Sequence, residues 1–106
     1  MAYTHKIMVP VCPLLREDIT IAAEMVSRSS ASWAREVIQD QLDVDEPLPR
    51  SSVYMDEEVE RKSTSIVVPM TRRMHQEVSA RALREERALA AWVRQAIMLR
   101  LDRQKK

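Results

Sequence analysis

The sequence predicts a mainly α-helical protein with a short β-ribbon, built from two copies of one strand–helix–helix unit. The 106 residues align with themselves at a shift of 59 positions, without a gap, over residues 7–43 and 66–102. Each copy begins with a short alternating segment rich in β-branched residues, which is typical of a strand. Two apolar stripes with helical spacing follow in each copy. Since a unit of about 40 residues has a marginal core, we expect the copies to share one core.

The internal repeat divides the chain into three parts. Eleven of the 37 aligned positions are identical, and the two tryptophans of the chain, Trp33 and Trp92, coincide. The identical pairs are Ile7/Ile66, Val9/Val68, Pro10/Pro69, Ala23/Ala82, Arg28/Arg87, Ala31/Ala90, Trp33/Trp92, Arg35/Arg94, Ile38/Ile97, Leu42/Leu101 and Asp43/Asp102. The alignment predicts a first unit at residues 1–43, an acidic connector at 44–62 and a second unit at 63–106.

The predicted strands are Lys6–Val11 and Ser65–Met70. Because side chains alternate across a strand, one face of the ribbon is expected to be apolar and to point inward. The outward residues are then Lys6, Met8, Pro10, Ser65, Val67 and Pro69. Each strand contains one proline, which indicates free edges, because a proline in a central strand would remove a ladder hydrogen bond.

Two helices follow each strand. Pro13 suits the first turn of the first helix, and Thr71 is the expected N-cap of its counterpart. The core stripes of these first helices are Leu15, Ile19, Ala22, Ala23 and Val26, with Met74, Val78 and Ala82. Turns are predicted near residues 27–30 and 86–89. The stripes of the second helices are Trp33, Ala34, Val37, Ile38 and Leu42, with Trp92, Val93, Ala96, Ile97 and Leu101.

Charge is segregated along the chain. The whole protein has a net charge of +1, from 17 Lys and Arg and 16 Asp and Glu. The first unit carries −2, the connector −3 and the second unit +6. Only the second unit is suited to a polyanion such as DNA, although an arginine-rich helix surface that is merely solvated explains its charge equally well.

The composition excludes several classes of protein. Without glycine the chain can form neither a phosphate-binding loop nor a dinucleotide-binding turn. One cysteine and two histidines predict no disulfide, no metal site and no cofactor. No spacing of Ser, His and Asp suggests catalysis, so we expect no enzyme. The chain has no apolar run of membrane-spanning length and begins without a signal-peptide pattern, which predicts a cytoplasmic protein and no membrane partner.

The repeated unit resembles the ribbon-helix-helix fold of the Arc/MetJ superfamily. The resemblance covers about three quarters of the chain, and the apolar positions fall where that family places its strand and helix core residues. In the second unit these positions are Ile66, Met70, Thr71, Met74, Val78, Ala82, Trp92, Ala96, Ile97 and Leu101. The likeness is to the tandem, TraY-like arrangement, which implies an intramolecular pseudo-dimer whose two strands pair as an antiparallel ribbon about a central pseudo-twofold axis. That pairing would set Met8 opposite Val67, Lys6 opposite Pro69 and Pro10 opposite Ser65. Many members have glycine in the turn between the helices, where this chain has Ser27 and Glu86.

The resemblance implies a DNA-binding protein, either a transcriptional regulator or a relaxosome accessory factor. Its ribbon would enter the major groove of double-stranded DNA, with the six outward side chains at the base edges. The start of each second helix would contact a phosphate. The candidate phosphate contacts are Ser29, Ser30, Ser32, Arg84, Arg87 and Arg94. Capping of the helix explains the three serines at least as well.

The outer face of the ribbon leaves a second function open. It offers one cation, Lys6, one hydroxyl, Ser65, and four apolar side chains, whereas base edges are read mainly by Arg, Lys, Asn and Gln. An exposed apolar cluster is typical of a protein-binding surface. The alternative is therefore a protein-interaction module, an antiactivator or inhibitor, that binds a protein through this face. Self-association is a further possibility in either case.

Overall fold

The computed structural model describes residues 3–44, 46–48 and 64–104. In chain order the elements are β1 (His5–Val11), α1 (Pro13–Met25), α2 (Ser30–Asp43), β2 (Thr64–Met70), α3 (Arg72–Arg84) and α4 (Leu89–Gln104). The predicted class, mainly helical with a short β-ribbon, is confirmed. Of the acidic connector, only Val44 and Glu46–Leu48 belong to the described residues.

The two strands form an antiparallel ribbon with the predicted register. Met8 lies opposite Val67, and the flanking pairs are Lys6 with Pro69 and Pro10 with Ser65. Within the described ranges the sheet has only these two strands. Alternation then points the odd-numbered residues of β1 inward, and Val9 and Val11 are fully buried.

Three of the four helices in the described ranges begin where a side chain accepts from one of the first backbone N–H groups. Thr71 is the N-cap of α3, as predicted, and its Oγ accepts from the Met74 N–H at 3.2 Å. Ser29 caps α2 in the same way, accepting from the Ser32 N–H at 3.1 Å. At α1 the cap is Cys12, whose Sγ accepts from the Leu15 N–H at 3.4 Å. The buried thiol therefore has a structural role in starting the helix.

Each first helix ends in the same left-handed turn. Ser27 and Glu86, the residues where the resembled family often has glycine, have φ values of 56° and 57°. The Arg28 N–H bonds back to the Ala23 carbonyl at 2.9 Å, and the Arg87 N–H bonds to the Ala82 carbonyl at 2.8 Å. These 6→1 bonds define a Schellman motif, which turns the chain directly into the next helix.

All six elements contribute to one hydrophobic core. Both tryptophans are buried, and so are most residues of the four predicted stripes. Two stripe residues differ from the prediction: Leu42 is only half-buried, and Val26 is 53% exposed. Val26 is the C-cap of α1 with φ −113°, so it has left the helical path that would have carried it inward. Leu48 and Met98 join the core without having been predicted.

The left-handed turn at Ser27 leads to a prediction on stability. A non-glycine residue in this conformation places its Cβ against the following carbonyl oxygen. We therefore expect Ser27→Gly to raise the free energy of unfolding by about 0.5 to 1 kcal/mol, measured by urea titration of the circular dichroism. Met25→Gly is the matched control: this exposed residue is helical, so glycine should lower stability by about 1 kcal/mol. Equal losses in both variants would contradict the assignment of strain to Ser27.

Candidate nucleic-acid interface

The outer face of the ribbon is a small and mostly apolar surface. Met8 is 65% exposed, and Val67, directly opposite, is 44% exposed. Lys6 is also exposed, while Pro10, Ser65 and Pro69 are half-buried. All six predicted outward residues thus lie on one face of the ribbon. Lys6 is the one cation among them.

An arginine from each second helix holds the opposite strand. In α2, Arg35 Nη1 donates to the Pro69 carbonyl in β2 at 3.4 Å. In α4, Arg94 Nη1 donates to the Pro10 carbonyl in β1 at 3.3 Å. Arg35 corresponds to Arg94 in the repeat, and Pro10 corresponds to Pro69. The same contact therefore occurs twice: the arginine of each copy binds the strand proline of the other copy.

Arg94 and Arg35 differ in their surroundings. Burial lowers the pKa of the Arg94 guanidinium below its usual value. The Arg35 guanidinium instead lies 4.3 Å from the centre of the Tyr3 ring, which is a cation–π distance. Arg94 was predicted as a phosphate contact, and the structure places its guanidinium against the ribbon backbone. Sequence analysis did not single out Arg35 or Tyr3, although the identity of Arg35 with Arg94 was a signal for the first.

The start of α2 carries the three candidate serines. Ser29 uses its hydroxyl as the N-cap, and Ser32 Oγ accepts from Arg28 Nη1 at 3.4 Å. Arg28 also forms an ion pair with Glu36 at 3.0 Å, with both side chains nearly half exposed. Ser30 is the first residue of the helix. The helix start therefore offers backbone N–H groups and hydroxyls that suit an anion, while its cation, Arg28, is already paired with the Glu36 carboxylate.

The corresponding start of α4 is built differently. Arg84 is exposed, but the Arg87 side chain is only 7% exposed. Arg87 Nη2 donates to the Leu48 carbonyl in the connector at 2.6 Å. Of the three arginines predicted as phosphate contacts, Arg87 and Arg94 thus bind backbone carbonyls of the protein itself.

Glu85 is the centre of a buried charged cluster that sequence analysis missed. Its carboxylate accepts from the Leu48 N–H at 3.0 Å and from Trp92 Nε1 at 3.3 Å. The Nε atoms of Arg81 and Arg87 lie 3.6 and 3.7 Å from its oxygens. Leu48 is therefore held at both its backbone N–H, by Glu85, and its carbonyl, by Arg87.

Arg81 extends this cluster to the end of α2. Its Nη2 donates to the Val44 carbonyl at 2.6 Å and to the Glu46 carbonyl at 3.1 Å, and its Nη1 donates to the Leu42 carbonyl at 3.2 Å. A cation at a helix C-terminus satisfies the last carbonyls and opposes the helix dipole. The repeat did contain a signal, because Arg81 and Glu85 replace the apolar Ala22 and Val26 of the first copy.

Comparison with protein-family models, with curated proteins and with solved structures found no match for this chain. In the three described stretches, no helix is long and apolar enough to cross a membrane. The same stretches contain no group of three His, Cys, Asp or Glu side chains placed to hold a metal ion.

The buried cluster around Glu85 leads to a prediction that distinguishes it from a surface ion pair. Glu85→Ala removes a buried carboxylate from beside two largely buried arginines, Arg81 and Arg87, and takes away the acceptor of the Leu48 N–H and of Trp92 Nε1. We expect a loss of about 3 to 5 kcal/mol in the free energy of unfolding, measured by urea titration.

The matched control for Glu85→Ala is Glu77→Ala in the same helix. Glu77 pairs with exposed Arg73 at 3.1 Å, and removal of such a surface pair should cost less than about 0.5 kcal/mol. If both variants lose the same small amount, the connector is not held by Glu85.

Proposed function

We propose that the protein is a tandem ribbon-helix-helix protein that binds double-stranded DNA through its β-ribbon. The observation that carries the proposal is the register of the ribbon, which gathers all six outward side chains into one surface around Met8 and Val67. A two-stranded ribbon has the width that the major groove of B-DNA admits. The resemblance of the sequence to the Arc/MetJ superfamily implies the orientation of that ribbon in the groove.

The same proposal treats the two copies as an intramolecular pseudo-dimer. Three paired observations support it: the exchanged arginine–proline contacts, the two equivalent Schellman turns and the pairing of β1 with β2. In this arrangement one polypeptide supplies both halves of the DNA-binding unit. The biological roles that follow are those of a transcriptional regulator or a relaxosome accessory factor.

The exposed charges favour DNA binding of modest affinity and low sequence selectivity. Lys6 on the ribbon, Arg28 at the start of α2 and Arg84 at the end of α3 are exposed cations. Met8 and Val67 can touch thymine methyl groups, but they lack the hydrogen bonds that discriminate one base pair from another. Because Arg87 and Arg94 bind the protein backbone, few phosphates are neutralised and the salt dependence of binding should be shallow.

Fluorescence anisotropy with duplexes from the protein's own locus and with a random duplex tests DNA binding. We expect Lys6→Ala to weaken binding to both and to reduce the slope of log K against log salt, because Lys6 is the one cation on the outer face of the ribbon. Ser65 and the apolar residues contribute no charge, so Lys6 should account for the ribbon's part of the slope.

Arg103→Ala is the control for charge alone. Arg103 is exposed in the last turn of α4 and lies nine residues from Arg94, about 13 Å along the helix from the ribbon contact. Its removal should leave the slope unchanged. No binding of the wild-type protein to any duplex at low salt would refute the DNA-binding proposal.

A second function is favoured by the exposure of Met8 and Val67 as neighbours across the ribbon. Together with Pro10 and Pro69 they give an apolar outer face, and such faces commonly mark protein interfaces. In this alternative the protein is an antiactivator or inhibitor that binds a protein partner through the ribbon.

Charge substitutions on the ribbon distinguish this alternative. In a pull-down from lysate, Met8→Asp and Val67→Asp should abolish capture of a ribbon-bound partner, because each buries a carboxylate in an apolar contact. Leu83→Asp on α3, which changes a residue that is 80% exposed, should not. Circular dichroism would establish that all three variants fold. Capture that is insensitive to both ribbon variants excludes the ribbon as the protein-binding face.

A further inference from the structure

The two histidines of the chain meet where strand β1 lies against helix α3. His5 is the first residue of β1, and His75 is the fourth residue of α3. Their ring centroids are 5.0 Å apart, and the ring planes are tilted by 39° to each other. Both residues are half-buried. Since they are far apart in the sequence, the fold is what brings the two rings together.

The repeat contains the same contact a second time, with different side chains. The shift of 59 positions carries His5 to Thr64 and Arg16 to His75. Thr64 is the first residue of β2, Arg16 is the fourth of α1, and Arg16 Nη1 donates to Thr64 Oγ1 at 2.8 Å. Both pairs therefore join the strand of one copy to the first helix of the other. The fold fixes the two positions, and the residues at them determine what the contact can bind.

A pair of imidazoles differs in its chemistry from an arginine and a hydroxyl. Arg16 donates directly to Thr64, so that pair satisfies itself. A neutral imidazole instead has one ring nitrogen with a lone pair, and this nitrogen is a common metal ligand. One end of the ribbon thus has a direct hydrogen bond, and the other end has two potential metal ligands at the equivalent positions.

The separation of the two rings fits a shared metal ion. In a tetrahedral site with metal–nitrogen distances of about 2.1 Å, the centroids of two imidazole ligands lie about 5.2 Å apart, close to the observed 5.0 Å. Rotation of the His75 ring about its Cβ–Cγ bond turns its nitrogens toward a common point with His5. That bond points through the centre of the ring, so the rotation leaves the centroid almost in place.

The His5 ring has the second contact that a metal ligand needs. Its Nδ1 lies 3.0 Å from Thr4 Oγ1. In the tautomer in which Nδ1 donates to this hydroxyl, Nε2 carries the lone pair. Histidines that bind metals usually have such a partner at the other nitrogen, because it fixes both the tautomer and the orientation of the ring.

We infer that His5 and His75 together bind a divalent transition-metal ion of the kind that imidazole prefers, such as Zn²⁺, through one nitrogen of each ring. In the described stretches no third His, Cys, Asp or Glu side chain joins them, so water completes the coordination. Two protein ligands make a weak site, with a dissociation constant of about 100 μM. The sequence, with only two histidines, predicted no metal site, and their contact across the two copies changes this expectation.

The bound ion links β1 of the first copy to α3 of the second. His5 lies on the inner face of β1, whereas Lys6 lies on the outer face, since side chains alternate along a strand. The metal site is therefore separate from the outer face of the ribbon, and the inference does not depend on DNA binding.

Titration of the full-length protein with Zn²⁺, followed by the NMR signals of the two imidazole rings, tests the site. We expect both rings to shift together and to approach saturation at about 1 mM Zn²⁺. Mg²⁺ prefers oxygen ligands and should shift neither ring. The midpoint of thermal unfolding should rise with Zn²⁺, because an ion that binds the folded arrangement stabilises it.

The other half of the molecule supplies the matched control. The double variant His5→Thr/His75→Arg copies the contact between Arg16 and Thr64, so it should fold with the stability of the wild type. By isothermal titration calorimetry it should bind Zn²⁺ at least about tenfold more weakly, since both ligands are gone. The single variant His75→Gln should lose as much affinity, because one imidazole cannot chelate the ion.

Two results would overturn the inference. Equal Zn²⁺ affinity of the wild type and of either variant would place the ion elsewhere on the protein. A shift of only one ring, or of neither, at millimolar Zn²⁺ would show that the two imidazoles do not share an ion.

Discussion

A two-stranded ribbon cannot bury its own inner face, and the rest of this structure depends on how that face is covered. Helix α4 packs on β1 and helix α2 packs on β2, so the strand of each copy lies beneath the second helix of the other. Val9 and Val68 have no exposed surface as a result. Two hydrogen bonds reinforce this arrangement. Arg94 in α4 donates to the Pro10 carbonyl in β1, and Arg35 in α2 donates to the Pro69 carbonyl in β2, so each second helix is bonded to the strand that it covers.

The connector breaks the equivalence of the two copies. Where the first copy has Ala22 and Val26, the second has Arg81 and Glu85, and these charges with Arg87 secure the chain as it leaves α2. A buried ion cluster costs desolvation, which its hydrogen bonds to Leu48 and Trp92 help to offset. These contacts fix the backbone of Leu48 against the second copy, while the matching surface of the first copy stays apolar and open.

Periodicity was sufficient to predict much of the fold. Alternation gave the two faces of each strand, and the 3.6-residue spacing gave the buried stripes, because both follow from backbone geometry alone. The register at Met8 and Val67 came instead from the equivalence of the two strands in the repeat and from the pairing that the resemblance implies. Periodicity could not predict which neighbouring segment a polar side chain contacts. Arg87 lies just before α4, and this position in the sequence does not show whether its side chain faces a phosphate or the Leu48 carbonyl. The path of the connector at Leu48 decides this. Val26 left its stripe for a related reason, because the helix ends one residue before it.

Each strand is covered by a helix of the other copy, and this affects when the strands can be buried during synthesis. Residues of β1 are synthesised before the helix that covers them, α4, which begins only at Leu89. The native contacts of β1 therefore span most of the chain, and such long-range contacts slow folding. Until α4 has been synthesised, the apolar face of β1 lacks the helix that covers it in the native structure, so the nascent first half exposes apolar surface.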